Sequence, residues 1–352
     1  IKKELSELAE KHGDDRRTKI VKGGVKNISV EDLVPDEESV LVLTKGGYVK
    51  RTNPNEYKKQ KRGGVGVIDL STKEEDVVRT FITASTHSNL LFFTDAGKVY
   101  QVKMYDIPEG RRATKGKAIA NFLPIAGDEY VTSVLPVPKG AELDAMGLVL
   151  TTKEGTVKKV AAKSFADVRK SGIIAINLKG ADKLVAAHLI SEGDDVVLVT
   201  RNGQAIRFSE ADAREMGRTA AGVRGMKLSK DDVIVSAHVL PAGQEKDAAL
   251  LIVSETGYGK HTPLSEYKQQ KRAGSGIKTA GVTDKTGKIV GGRMLLGEHG
   301  KYELVAVSQK GQVIRTSVSE IPSQGRSTQG VRIMKLRAGD HVASIVLLSS
   351  GE

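Results

Sequence analysis

One pattern recurs six times along this 352-residue chain and restricts its fold more than any other feature. The first halves of the copies read LVLTKGGYVKRT, LFFTDAGKVYQV, LVLTTKEGTVKKV, VVLVTRNGQAIRF, LLIVSETGYGKHT and LVAVSQKGQVIRT. Each joins a β-branched run to a second, basic run through a short turn that holds a glycine. The turn glycines are Gly47, Gly97, Gly155, Gly203, Gly257 and Gly311. A second glycine follows in every copy, at Gly66, Gly116, Gly172, Gly222, Gly276 and Gly330. Its offset from the first is 19 residues in five copies and 17 in the third. Self-similarity at a fixed period of roughly 50 residues marks a repeat architecture.

The local pattern says what each repeat builds. Val40, Val42 and Thr44 alternate with the period of two expected of a strand. Ala96-Gly97 and Asn202-Gly203 suit a two-residue hairpin turn, where positive φ is needed and glycine meets no Cβ clash. In the first copy, strands are expected around 40–45, 48–52, 66–70 and 77–83, and no helical period separates them. Four strands per repeat predict an all-β, six-bladed, propeller-like domain, in which a closed ring leaves few strand edges bare. The abundance of glycine, 38 against 9 proline, fits many tight turns. The WD and kelch patterns are absent. Ahead of the repeats, Ile1, Leu5 and Leu8 fall on one helical face, and Gly13 is placed to cap a helix after His12. Residues 1–22 are therefore read as a helix end and linker from an upstream part of a longer polypeptide, and residues 23–352 as the β domain.

Several functional classes find no residues to build them. With no cysteine, disulfides, thiol catalysis and Cys-based zinc sites are excluded. No apolar run approaches the roughly 20 residues of a membrane span, and no signal-peptide pattern opens the chain. The seven histidines show no metal-ligand spacing. His188 and His238, in AAHLI and SAHVL, read as repeat-equivalent structural positions rather than a metal pair. There is no Walker A sequence, and Asp14-Asp15 and Asp231-Asp232 read as turn or cap residues. No catalytic residue, metal or cofactor is predicted for this chain.

Charge is the more informative property. The chain carries +12, with an isoelectric point near 9.5. Windows running from two residues before each turn glycine to the second glycine together carry +17, leaving −5 for the rest. Basic residues thus recur in one register, while connectors such as Glu192-Gly193-Asp194-Asp195 are acidic. On a ring of blades this register becomes a basic belt around a rim. A curved belt of fixed charge suits a bent polyanion, because neutralised phosphates release counterions that offset the cost of bending. Aromatic content is 4% with no Trp, too little for the base-stacking platforms of single-strand binders, so duplex is the expected partner. The candidate rim contacts are Lys50, Arg51, Lys58, Lys59, Arg111, Arg112, Lys115, Lys158, Arg169, Lys170, Arg218, Lys271, Arg272 and Arg326. Two other classes compete. A protein-interaction propeller would use the acidic connectors, and a glycan-processing propeller would need paired carboxylates and sugar-stacking aromatics.

One stretch stands apart: Tyr57-Lys58-Lys59-Gln60-Lys61-Arg62-Gly63-Gly64-Val65-Gly66. Basic and amide side chains run directly into glycines, which let the backbone approach a phosphate and expose its N–H groups. The heptapeptide Gln60, Lys61, Arg62, Gly63, Gly64, Val65, Gly66 resembles the box that marks the C-terminal domain of DNA gyrase A. Its sixth position, usually basic in that family, is Val65, which removes one phosphate partner. A weaker copy, Gln270-Lys271-Arg272-Ala273-Gly274-Ser275-Gly276, departs at Ala273 and Ser275. Asp14-Asp15-Arg16-Arg17-Thr18 resembles the segment that leads into the family's domain, and the stretch from Met216 through Arg218 to Gly225 resembles its fourth-blade motif. The resemblance covers nearly the whole chain.

The resemblance implies a β-pinwheel, a propeller relative whose blades exchange strands, with double-stranded DNA wrapped on its perimeter in a positive crossing. Gln60, Lys61, Arg62, Gly63, Gly64 and Gly66 become candidate DNA contacts. The implied partners are DNA, the N-terminal core of gyrase A in the same polypeptide, and gyrase B in the holoenzyme. ATP and magnesium belong to other parts of that holoenzyme, an ATP-dependent topoisomerase. The fragment is expected to be monomeric, inactive alone, cytoplasmic and nucleoid-associated. The equivalent domain of topoisomerase IV is the nearest alternative, since its boxes are degenerate.

Overall fold

The computed structural model describes residues 1–14, 30–54, 78–111 and 114–349. They fall into two compact units, Ile1–Pro35 and Asp36–Glu352. In the first, Lys2–His12 is an α-helix. Gly13 closes it, donating its N–H to the Ala9 carbonyl at 2.8 Å from an extended backbone rather than a left-handed one. Ile1, Leu5 and Leu8 are exposed on this helix.

The second unit is built on six hairpins, one for each repeat. They pair Glu38–Thr44 with Tyr48–Thr52, Asn89–Thr94 with Lys98–Lys103, and Gly147–Thr152 with Thr156–Ala161. The other three pair Asp195–Thr200 with Gln204–Ser209, Ala248–Ser254 with Tyr258–Pro263, and Tyr302–Ser308 with Val313–Ser317. The first five hairpin loops hold three residues and the sixth holds four, rather than the expected two. Gly47 N–H donates to the Thr44 carbonyl at 3.1 Å while Gly47 itself sits at φ 79°, a type I turn followed by a left-handed residue. The Thr44 hydroxyl accepts the Tyr48 N–H, and Thr152, Thr200 and Ser308 act alike in their own repeats.

A third strand antiparallel to each hairpin's first strand lies innermost: Val78–Ser85, Val131–Val137, Leu184–Ile190, Ile234–Leu240, Ile289–Leu296 and Val342–Ser349. Successive inner strands pack side by side, and the sixth packs on the first. These blades form a six-bladed β-propeller.

The outermost strand of each of the first five sheets comes from the following repeat. Lys117–Ala118, Ile173–Ile174, Val223–Arg224, Ile277–Lys278 and Val331–Arg332 pair with the second hairpin strands of the first to fifth blades. The sixth sheet has three strands among the described residues. This exchange accounts for Gly116, Gly172, Gly222, Gly276 and Gly330 of the second glycine series. At Gly222, φ is +90°, and a Cβ would lie 2.6 Å from the Val157 carbonyl oxygen of the preceding blade. Only glycine lets the chain re-enter so close to a neighbouring backbone.

The core lies between blades. One cluster joins Leu41 and Val49 of the first blade to Leu90, Phe92 and Tyr100 of the second, and four more repeat the arrangement around the ring. The first hairpin strands of the first five blades are buried almost throughout, as in Ala248–Ser254, and read as apolar runs rather than alternations, whereas Tyr302–Ser308 of the sixth is only partly buried. Each fully buried Leu or Phe there contributes about 1.5–3 kcal/mol of transfer free energy.

Candidate nucleic-acid interface

In the second to sixth repeats a rim loop runs between the hairpin and the exchanged strand. In the described repeats it opens with a short 3-10 turn, such as Met104–Asp106, Glu210–Asp212 or Val318–Glu320. The chain then crosses to the preceding blade, where single parallel bridges join Arg51 to Glu109, Lys159 to Glu215, Phe208 to Gln270 and His261 to Ser323. The rim is therefore made where two repeats meet.

Neighbouring loops are also tied to each other. Asn177 N–H donates to the Ala220 carbonyl at 3.3 Å, Ala273 N–H to Gly225 at 2.7 Å, and Gly281 N–H to Thr328 at 2.9 Å. Guanidinium groups reinforce the seam, with Arg272 Nη1 donating to the Arg224 carbonyl at 3.0 Å and Arg326 Nη1 to that of Lys278 at 3.3 Å. From the third repeat to the sixth, the basic loops form one hydrogen-bonded edge. Cations held on such an edge lose little freedom when they meet a rigid polyanion.

The candidate contacts divide by burial. Arg111, Lys115, Arg169, Lys170 and Lys271 are exposed. Lys115 lies 3.7 Å from the centroid of the Tyr48 ring, and Lys271 pairs with Asp212 at 2.9 Å. Arg51, Arg218, Arg272 and Arg326 are half-buried. Arg51 turns inward, its Nε reaching the Ile107 carbonyl at 3.4 Å and its Nη2 lying 3.6 Å from Glu109. Lys50 and Lys158, expected on the rim surface, are instead fully buried. Each occupies the third position after a turn glycine, a site that the next repeat's rim loop covers. Gln60, Lys61, Arg62, Gly63, Gly64 and Gly66, together with Lys58, Lys59 and Arg112, lie outside the described residues.

Sequence reading missed one set of cations. Arg224, Lys278 and Arg332 are exposed at the second position of the exchanged strands, and Lys117 at the first. They fall one or two residues after the second glycine, just past the end of the charge window. Their edge position was hidden because nothing local shows that these two-residue strands join a preceding sheet. Among the described residues, no group of three or more His, Asp or Glu is placed to hold a metal ion. No described helix is long and apolar enough to cross a membrane.

Comparison with known proteins follows the same repeat. The family described as DNA gyrase C-terminal domain, beta-propeller, matches residues 38–85, 88–138, 148–191, 194–241, 248–294 and 302–349. The chain belongs to that family. Each matched segment starts at or next to the first strand of a hairpin and ends at or near the end of an inner strand, so the gyrase-type repeat holds three strands of its own blade and, from the second repeat on, the strand it lends to the preceding one. The DNA gyrase A protein of Staphylococcus epidermidis is 41% identical over 345 residues, which is 98% of this chain and 38% of that protein. Its counterpart in Staphylococcus aureus (strain COL) is 39% identical over the same length. The chain spans about two fifths of the length of these relatives. A crystal structure of the C-terminal domain of DNA topoisomerase IV superposes with a TM-score of 0.73 at 27% identity, covering 90% of this chain and 95% of that one. A structure of the DNA gyrase A C-terminal domain gives 0.71 at 27% identity, covering 88% and 99%.

Proposed function

We propose that this chain binds duplex DNA along its rim and wraps it in a positive crossing, as the DNA-wrapping domain of DNA gyrase A. The observation that carries the reading is the hydrogen-bonded edge of rim loops, which sets exposed Arg169, Lys170, Arg224, Lys271, Lys278 and Arg332 on adjoining segments of a ring. Bending duplex around such a surface costs on the order of 1–6 kcal/mol per 20–30 bp, which many phosphate contacts together offset. Contacts of this kind position the backbone and carry little base information.

In this reading residues 1–22 lead from the upstream core of the polypeptide and residues 23–352 do the wrapping. The box Gln60, Lys61, Arg62, Gly63, Gly64, Gly66 contributes phosphate contacts on the first repeat. Cleavage belongs to the core and ATP hydrolysis to gyrase B, so wrapping by this chain needs neither nucleotide nor metal ion. The working location is the bacterial nucleoid.

Ligating nicked circular DNA in the presence of the purified chain tests the reading. Trapped positive supercoils are expected. Binding without a change in linking number supports the topoisomerase IV equivalent, consistent with the 0.73 superposition. Absence of any salt-sensitive duplex affinity overturns the DNA reading and favours a protein-interaction propeller.

A further inference from the structure

The third position after the turn glycine holds Lys50, Tyr100, Lys158, Ile206, Lys260 and Ile314 in successive blades. Lysine occupies the odd blades only. All three lysines are at most 1% exposed. The Lys50 ammonium donates to the Arg111 carbonyl at 3.4 Å. Lys158 donates to the Ala175 carbonyl at 2.7 Å and also to that of Arg218. Lys260 donates to the Arg326 carbonyl at 2.7 Å and also to that of Gly325.

The acceptors share a feature of sequence. Arg111, Arg218 and Arg326 each follow a glycine, in Gly110-Arg111, Gly217-Arg218 and Gly325-Arg326. The rim loops of the second, fourth and sixth repeats thus carry Gly-Arg and meet a lysine. Those of the third and fifth carry Arg169-Lys170 and Lys271-Arg272, and lie on blades whose equivalent residues are Tyr100 and Ile206.

Burying an ammonium is costly unless its hydrogen bonds are met. The fold has no need of one at this position, because Ile206 fills it in the fourth blade and Ile314 in the sixth. Lysine must therefore serve something other than packing.

We propose that Lys50, Lys158 and Lys260 are positioning residues that clamp alternate arginine-bearing rim loops by their backbone carbonyls, presetting them for the phosphate backbone. The proposal rests on the DNA-wrapping reading above. It divides the rim into loops held by a buried lysine on the first, third and fifth blades and loops without such a lysine on the second and fourth, where Tyr100 and Ile206 stand at that position.

Protonation should govern the clamp, since hydrogen bonds from a charged donor are the stronger ones. Burial, with Arg218 adding repulsion, pushes Lys158 down to about 8. Burial also pushes Lys260 down to about 8, with Glu266 opposing and Arg326 and Lys278 reinforcing the shift. Both values lie below the 10.5 usual for lysine. Between pH 8 and 10.5 the unfolded chain holds more protons at these groups, so they favour folding increasingly as pH rises. DNA affinity should move the opposite way.

The test compares wild type with Lys158→Met, Lys260→Met and the double variant in the whole chain. Three readouts are taken: hydrogen exchange, thermal unfolding and duplex affinity across salt and pH. Faster exchange confined to residues 216–222 in Lys158→Met, with the transition temperature held, is expected without any DNA present. Affinity of the double variant should fall about tenfold. Its salt slope should stay unchanged, whereas removing a direct phosphate contact lowers the slope by about one. Raising the pH from 7 to 9.5 should weaken wild-type binding more than that of the double variant. Unchanged exchange overturns the clamp, and unchanged affinity in a loosened loop overturns its positioning role. A salt slope lowered by about one per lysine would make these residues direct contacts instead. Should wild type bind no duplex at all, the wrapping reading fails, while the exchange result still decides whether the clamp exists.

Discussion

Arg207 donates through Nε to the Asp195 carboxylate at 2.7 Å, with both side chains less than a tenth exposed. It is the charged counterpart, one position along, of the buried lysines in other blades. Its guanidinium also meets Glu245 at 2.8 Å and the Tyr267 carbonyl at 3.3 Å. The hydrogen bond to Glu245 is the main reason that its pKa is raised. Arg207 therefore fastens the fourth blade's hairpin to the loop of the fifth repeat. Arg207→Met leaves Asp195 buried without its cation, which costs on the order of 3–5 kcal/mol. Urea unfolding that shows a loss below about 1 kcal/mol would contradict this assignment.

The two kinds of positive-φ glycine should separate on substitution. Gly140 has φ +77° with nothing within 4 Å of the place a Cβ would take, whereas at Gly222 the Cβ would meet the Val157 carbonyl oxygen at 2.6 Å. Gly140→Ala is expected to cost about 1–2 kcal/mol from left-handed backbone alone. Gly222→Ala should cost clearly more, because a strand of the fourth repeat must also move off the third blade. Equal losses in thermal unfolding would remove the steric explanation for the second glycine series.

Arg224, Lys278 and Arg332 should behave as plain phosphate contacts. Replacing any one by alanine is expected to weaken duplex binding similarly on all sequences and lower the salt slope by about one. A changed sequence preference would point to base readout instead.

Acid should weaken the propeller from its centre. His188 Nε2 lies 2.8 Å from the Ala237 carbonyl, and its ring centroid is 6.2 Å from that of His238. Burial pushes the pKa of both rings down, His238 well below its ordinary value, with Arg293 nearby adding repulsion. The native state thus keeps them neutral. Below about pH 6.5 the unfolded chain takes up protons that the folded one refuses, so stability falls with pH. The transition temperature is expected to drop between pH 7 and 5, and less so in His188→Gln/His238→Gln.

Replacing residues 60–65 with alanines, with Gly66 of the second glycine series kept, should abolish wrapping and leave the β-sheet circular dichroism intact. Loss of the sheet signal would mean that this stretch supports the fold rather than DNA contact.

The repeat, its two glycine series and the segregation of charge were legible in the sequence because each is a local property with a fixed period. Six hairpins and a basic rim follow from them directly. Hidden from that reading was the sheet that each exchanged strand joins, since two residues such as Val223-Arg224 carry no signal of a partner on the preceding blade. The same limit misplaced Lys50 and Lys158. A strand's alternation tells which side chains share a face, but not which face a later segment covers. Lys158 is sealed by Arg218, sixty residues downstream, and Lys50 by Arg111, sixty-one downstream. Local chemistry determined the blades and their charge. Only the closing of one repeat over another decided which cations reach solvent and which are held within, because burial depends on contacts far apart along the chain.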